Sequence, residues 1–318
     1  MNSGFWKKLK KPFSVSAPLA GVSDYSFREM LAQTGKPDVT YTEMVTTEGL
    51  AAKGEAEFAL QMKYSEGERP IVTQIFGSDP KKIEAAARIA GQRGFDGIDI
   101  NMGCPQDVIT SQGAGAALIK TPELAVEIIE AARAGAGDIP VSVKTRTGWK
   151  NHEEVAGWIE KIAAANPVTI TLHGRTREMK GRGTASWEAI KRAVEVIRSV
   201  NPEITIVGNG DVRSADDGRE KAAYAGTDGY MIGRSAIGNP WVFSGKVPSP
   251  LVRIETMLRH TDLFVDAFGE RSFDRLKTHY SEYISGFAGA KELRDKLMTA
   301  KGVNEVRILV EEFMENIK

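Results

Sequence analysis

The strongest constraint on this chain is a rhythm. Short β-branched runs alternate with longer segments whose apolar residues recur at helical spacing. The runs cover residues 13–18, 39–45, 70–76, 97–102, 140–145, 168–172, 204–207 and 229–232. They recur roughly every 25 to 40 residues. Between them, residues 79–93, 121–134, 153–165 and 187–199 are rich in Ala, Glu, Lys and Ile at helical spacing. Eight strands alternating with helices over about 240 residues match a (β/α)8 barrel, whereas a doubly wound sheet usually uses fewer strands. The expected fold class is α/β: a (β/α)8 TIM barrel followed by a small C-terminal helical bundle.

The rhythm stops at Gly238-Asn239-Pro240-Trp241, and the stretch through Pro248-Ser249-Pro250 reads as a linker punctuated by glycine and proline. The expected division is a barrel over 1–242, a linker over 243–250 and a helical domain over 251–318. In that tail Ile254, Met257, Leu258, Thr261 and Val265 share one helical face. Val306, Leu309, Val310, Phe313 and Ile317 share another, and Gly286 and Gly289 mark a turn.

Composition narrows the class. A chain of 318 residues, 42% hydrophobic and 26% charged, can bury a full core. No apolar stretch approaches the roughly 20 residues needed to cross a bilayer. The start Met1-Asn2-Ser3-Gly4-Phe5-Trp6 lacks the apolar core of a signal peptide. One cysteine forbids an internal disulfide framework, and the expected location is the cytoplasm. Four histidines (152, 173, 260, 279) and that cysteine show no metal-ligand spacing, so no metal is expected. A formal charge of zero means that an acidic partner must meet a local patch of Lys and Arg. The oligomeric state is open, and a monomer is compatible with the sequence.

In a barrel of this kind chemistry belongs at the strand ends, and here those ends are polar. They read Ala17-Pro18-Leu19-Ala20-Gly21, Gln74-Ile75-Phe76-Gly77, Asn101-Met102-Gly103-Cys104-Pro105, Lys144-Thr145-Arg146, His173-Gly174-Arg175-Thr176-Arg177, Gly208-Asn209-Gly210-Asp211 and Gly233-Arg234. Each alone is explained by a helix cap or a turn. Taken together at successive strand mouths they form a candidate site. The last two strands offer small residues and one guanidinium, the ingredients of a phosphate site. Lys144 supplies a fixed charge for an electron-rich ring such as a reduced flavin, and Gln74 can donate and accept at an imide edge. Gly113-Ala114-Gly115-Ala116-Ala117-Leu118 is a poor dinucleotide fingerprint, lacking the last glycine and not following the first strand. Cys104, the sole thiol, is either reactive or simply a small buried hydrophobe.

These motifs, in this order, resemble those of the tRNA dihydrouridine synthases of bacterial type. Asn-Met-Gly-Cys-Pro ending at Pro105 and His-Gly-Arg-Thr-Arg from His173 are specific in combination. The resemblance extends into the tail, at Leu276-Lys277-Thr278-His279-Tyr280, Gly286-Phe287-Ala288-Gly289-Ala290 and Leu293-Arg294. It implies FMN in the barrel mouth, NADPH (or NADH) as reductant, and reduction of the C5–C6 double bond of selected uridines in tRNA. It further implies hydride delivery to C6 and Cys104 as general acid at C5, a role that suits a thiol with a pKa of about 8.5. By the same resemblance Ala17, Pro18, Leu19, Gln74, Lys144, His173, Asn209, Gly210, Asp211, Gly233 and Arg234 hold the cofactor, and Asn101 helps hold the uracil.

Arg146, Arg175 and Arg177 are expected to meet uracil or tRNA phosphates, or else to pair with carboxylates. In the tail Lys277, Lys291 and Arg294 supply charge and Tyr280 a stacking surface for RNA, unless neighbouring acids neutralise that face and the tyrosine is core. After Cys104-Pro105 the family often carries basic residues; this chain has Gln106-Asp107. Two alternatives stand beside this reading: an FMN oxidoreductase acting on a free pyrimidine or small enone, and a non-catalytic RNA-binding protein.

Overall fold

A computed structural model describes residues 3–316, so Met1, Asn2, Ile317 and Lys318 lie outside it. The eight runs form β1 (Phe13–Ser16), β2 (Thr40–Thr46), β3 (Ile71–Phe76), β4 (Gly97–Met102), β5 (Val141–Arg146), β6 (Thr169–His173), β7 (Thr205–Asn209) and β8 (Gly229–Ile232). All pair in parallel with their neighbours, and β8 returns to β1. The ring closes between β1 and β2, where Ser16 N–H donates to Val39 O (3.0 Å) and Val39 N–H to Ser14 O (3.1 Å). The helices Pro80–Gln92, Pro122–Ala136, Val155–Ala164 and Trp187–Val200 cover the four stretches expected to be helical.

Alternation along each strand sorts side chains into two layers. Ile98, Ile100, Val141, Val143, Ile170, Leu172 and Ile206 point outward into the core shared with the helices. Phe13, Val15, Tyr41, Val72, Val207 and Met231 point inward and fill the lower barrel, with Trp6 packed among them. Above this apolar plug the inward positions turn polar: Gln74, Asp99, Asn101, Ser142, Lys144, His173 and Asn209. The plug therefore closes the lower barrel and leaves a cup with a polar interior above it.

The tail comprises Pro250–Phe268, Lys277–Tyr283, Ala290–Thr299 and Val303–Asn316. Its own core contains Ile254, Met257, Phe264, Tyr280, Tyr283, Leu293, Leu297, Val306 and Val310. The stretch read as a linker is partly buried: Trp241 joins the tail core while Val242 and Phe243 join the barrel core, and exposure begins at Ser244. The tail docks on the barrel helix Tyr25–Thr34, where His279 lies 4.8 Å from Phe27 and 4.7 Å from His260 between ring centroids. Arg275 adds an ion pair across the same seam, 3.1 Å from Asp24.

Candidate active site

Cys104 sits at the carboxyl mouth of β4, partly exposed, on a loop held from three sides. Asn101 Oδ1 accepts from the N–H groups of Gly103 (3.0 Å) and Cys104 (2.8 Å). The Cys104 carbonyl accepts from Ala116 N–H (3.0 Å), and Gly115 (φ +60°) lies so close that a Cβ there would stand 2.8 Å from that carbonyl. The glycine-rich segment thus supports the thiol loop and is no phosphate fingerprint. Arg146 completes the brace, donating through Nε to Gly103 O (2.6 Å) and through Nη1 to Thr176 O (3.0 Å) and Lys180 O (2.9 Å). Burial pushes the thiol pKa up, against the Gln106 N–H and the charges of Arg146 and Lys144, so Cys104 carries its proton at neutral pH.

Beside the thiol, Lys144 rises from β5 and makes one hydrogen bond among the described residues, to Asn209 Oδ1 (3.2 Å). Asn209 is fixed in turn by donation to Met231 O (2.9 Å). Burial, and then Arg146, lowers the Lys144 pKa to about 8, with Asp99 opposing. His173 is held well below the usual histidine range by burial and by Lys144 and Arg146, and its buried Nδ1 has no hydrogen-bond partner among the described residues. An under-bonded ammonium and an orphaned imidazole nitrogen in one cup are polar groups waiting for a ligand. They fit a ring bearing carbonyl oxygens and ring nitrogens, as a flavin does.

The loops after β1 and β8 face each other: a Cβ placed on Gly233 would lie 3.4 Å from Ala17 Cβ and 3.8 Å from Leu19, in ordinary contact. Pro18 and Leu19 are half-buried there, and Arg234 beside them is exposed. Gly210 (φ +126°) carries the chain past Ala185 and gives its carbonyl to Trp187 Nε1 (2.9 Å).

Five of the candidate residues make contacts within the protein. Asp211 forms a clasp: its carboxylate accepts from Arg175 (2.7 and 2.8 Å), Arg234 (2.8 Å) and Ala185 N–H (2.9 Å). Burial alone would raise its pKa, and the Ala185 N–H and Arg175 hold it below the ordinary value. Arg175 is buried and turned inward to that clasp and to Gly183 O (2.6 Å). Arg146 is committed to three carbonyls. Asn101, besides the thiol loop, donates to Gln74 Oε1 (2.9 Å). Tyr280 is completely buried, its hydroxyl 2.7 Å from Thr261, because the tail's inner face needs it as core.

The remaining candidates stand at the edges. Gln74 lies buried on the floor of the cup with its carbonyl taken by Asn101 and one N–H by Asp99 (2.7 Å). Arg177 is at the rim, bonded to Asp107 and to Thr110 Oγ1 (3.0 Å), and Lys180 meets the same carboxylate (2.8 Å). Lys277 pairs with Asp274 (2.7 Å), Arg294 donates to Ile284 O (3.3 Å), and Lys291 is exposed. Among the described residues no three His, Cys, Asp or Glu side chains gather as a metal site, and no helix is long and apolar enough to cross a membrane. Sequence reading missed Asp99, which accepts from Gln74 and Ser142 on the cup floor. The signal for Asp99 was available: an acid on the same alternating face as Asn101 in an otherwise apolar strand.

Comparison with known proteins agrees with this architecture. In fold, the chain is similar to a 2-naphthoyl-CoA reductase in complex with 2-naphthoyl-CoA, with a TM-score of 0.54 at 12% identity over 77% of this chain and 52% of the other. It is also similar to a variant of NCR from Zymomonas mobilis, with a TM-score of 0.51 at 18% identity over 76% and 89%. In sequence, it is 35% identical to a probable tRNA-dihydrouridine synthase 2 of Bacillus subtilis (strain 168), over 98% of this chain and 97% of that protein. It is 33% identical to a probable tRNA-dihydrouridine synthase of Staphylococcus aureus (strain MRSA252), over 98% and 96%. The model of the dihydrouridine synthase (Dus) family matches residues 15–318. With the family model and these relatives matched over nearly the whole length, the chain belongs to the dihydrouridine synthase family.

Proposed function

We propose that this chain reduces the C5–C6 double bond of specific uridines in tRNA, with Cys104 giving the proton to C5. The observation that carries the reading is a protonated sole thiol fixed on the rim of a cup whose Lys144 and His173 are under-bonded. FMN, recharged by NADPH or NADH, would supply the hydride for C6. Lys144, His173 and Asn209 would hold its ring, above the buried Gln74. Ala17, Pro18, Leu19, Gly210, Gly233 and Arg234 would line the ribityl and phosphate path, Arg234 being the exposed cation there.

A thiol suits this work because it is neutral and short. Burial keeps it protonated, Asn101 and Ala116 fix its backbone, and the enolate-like charge that develops on uracil can draw the proton without a separate base. Lys144, able to remain charged near neutral pH, stabilises negative charge in the cup. The target base must leave its stack to reach a recessed cup. Arg177 and Lys180 at the rim, with Lys277, Lys291 and Arg294 on the tail, supply cations for the tRNA backbone. A soluble enzyme of the cytoplasm follows from such a substrate.

The test is to purify the protein, load it with FMN, and incubate it with NADPH and unmodified tRNA. Dihydrouridine in the tRNA is the expected result. A protein that takes up no FMN, or that reduces free uracil and never tRNA, would overturn the reading.

A further inference from the structure

Beneath the thiol loop runs a hydrogen-bond chain that the reaction as described does not use. Ser142 Oγ donates to Asp99 Oδ1 (2.6 Å) and Gln74 Nε2 to Asp99 Oδ2 (2.7 Å). Asn101 Nδ2 donates to Gln74 Oε1 (2.9 Å), and Asn101 Oδ1 accepts from Cys104 N–H (2.8 Å). Asp99, Gln74 and Ser142 are wholly excluded from solvent.

The polarity of this chain is fixed at both ends. An ionised carboxylate can only accept and a backbone N–H can only donate, so the two amides between them must point the same way. Reversing either amide would set two acceptors, or two donors, face to face in a buried site, at the cost of an unmade hydrogen bond. We propose that Asp99 is a positioning residue for Cys104, acting through Gln74 and Asn101. Its carboxylate locks Gln74, Gln74 locks Asn101, and Asn101 holds the backbone of the thiol. The consequence for turnover rests on Cys104 being the proton donor; the relay itself does not.

Because Cys104 is the only cysteine, protein labelled with 15N-cysteine gives one amide resonance, a direct reporter of the last bond in the relay. Asp99→Asn keeps an oxygen for Gln74 and offers Ser142 an NH2, since that hydroxyl can rotate; the resonance should stay in place. Asp99→Leu removes the acceptor; the resonance should shift upfield and its solvent exchange quicken tenfold or more. Gln74→Met, which cuts the relay in the middle and leaves Asp99 intact, should reproduce the shift and covers the case in which the leucine variant does not fold.

A resonance unmoved by Asp99→Leu or Gln74→Met, or moved equally by Asp99→Asn, would overturn the proposal. Single-turnover reduction of tRNA should fall at least tenfold in Asp99→Leu, mainly in rate at saturating tRNA, and recover in Asp99→Asn. A shifted resonance with unchanged turnover would leave the relay standing and defeat the proton-donor reading instead.

Discussion

Acidification should loosen the seam between tail and barrel through His279. Its ring packs between Phe27 and His260, and its Nδ1 accepts from Gly238 N–H (3.3 Å). Burial lowers its pKa to about 4, with Arg275 acting in the same direction and Asp24 and the Val22 carbonyl opposing. His260 is held well below the usual range by burial and by His279. An unfolded histidine titrates near 6.5, so as pH falls the unfolded chain takes up the proton first. The contribution of neutral His279 is therefore present above pH 6.5 and is lost as pH falls toward 4. Between pH 7 and pH 5 the loss integrates to about 2 kcal/mol for His279 alone, and His260 adds to it. Asp99, Glu43 and Glu68, whose pKa values burial raises, work in the opposite direction at lower pH, so the informative quantity is a difference. Urea denaturation of the unmodified protein and of His279→Gln should show the variant less stable at pH 7, with the gap closing by about 2 kcal/mol at pH 5. A gap that does not change with pH would refute the assignment.

Three further outcomes follow from the site. Asp107→Asn should free Arg177 and Lys180, tightening tRNA binding and steepening the slope of log affinity against log salt by about 1; filter binding across a salt series reads this, and an unchanged slope counts against a phosphate role for the rim. Arg175→Lys keeps the charge but loses the two-toothed grip on Asp211, and should cost about 2–3 kcal/mol in urea denaturation; a loss within 0.5 kcal/mol, the range of an ordinary surface change at roughly that size, would mean that the clasp is not structural. Lys144→Met should weaken FMN binding by about 10- to 100-fold, the worth of one charge-assisted hydrogen bond, as measured by fluorescence titration; unaltered affinity would remove Lys144 from the cofactor site.

The barrel was legible because strand and helix periods differ, and each of its strands is long enough to show its own. Interior residues were legible for the same reason: Gln74, Lys144, His173 and Asn209 all fall on the inward phase near a strand end. What local pattern could not reveal is how partners meet. Arg146 and Arg175 look alike in sequence to Arg177, yet the loop at 176–183 folds back and buries the first two against carbonyls and Asp211, leaving the third at the rim. Whether Tyr280 faces RNA or the core is settled only when the tail folds on itself and docks on the helix at residues 25–34, and docking is a long-range event that no short window records. Trp241 reads as linker by its neighbours Pro240 and Gly238, but a large ring between two cores is buried from both sides.

The most direct test of the central claim is single-turnover reduction of tRNA by FMN-loaded protein carrying Cys104→Ala, with reduction of the flavin by NADPH followed in the same sample. The account predicts that dihydrouridine formation slows by about 100-fold or more, the usual contribution of a positioned general acid, while flavin reduction keeps its rate. Dihydrouridine formed at the unmodified rate would contradict it.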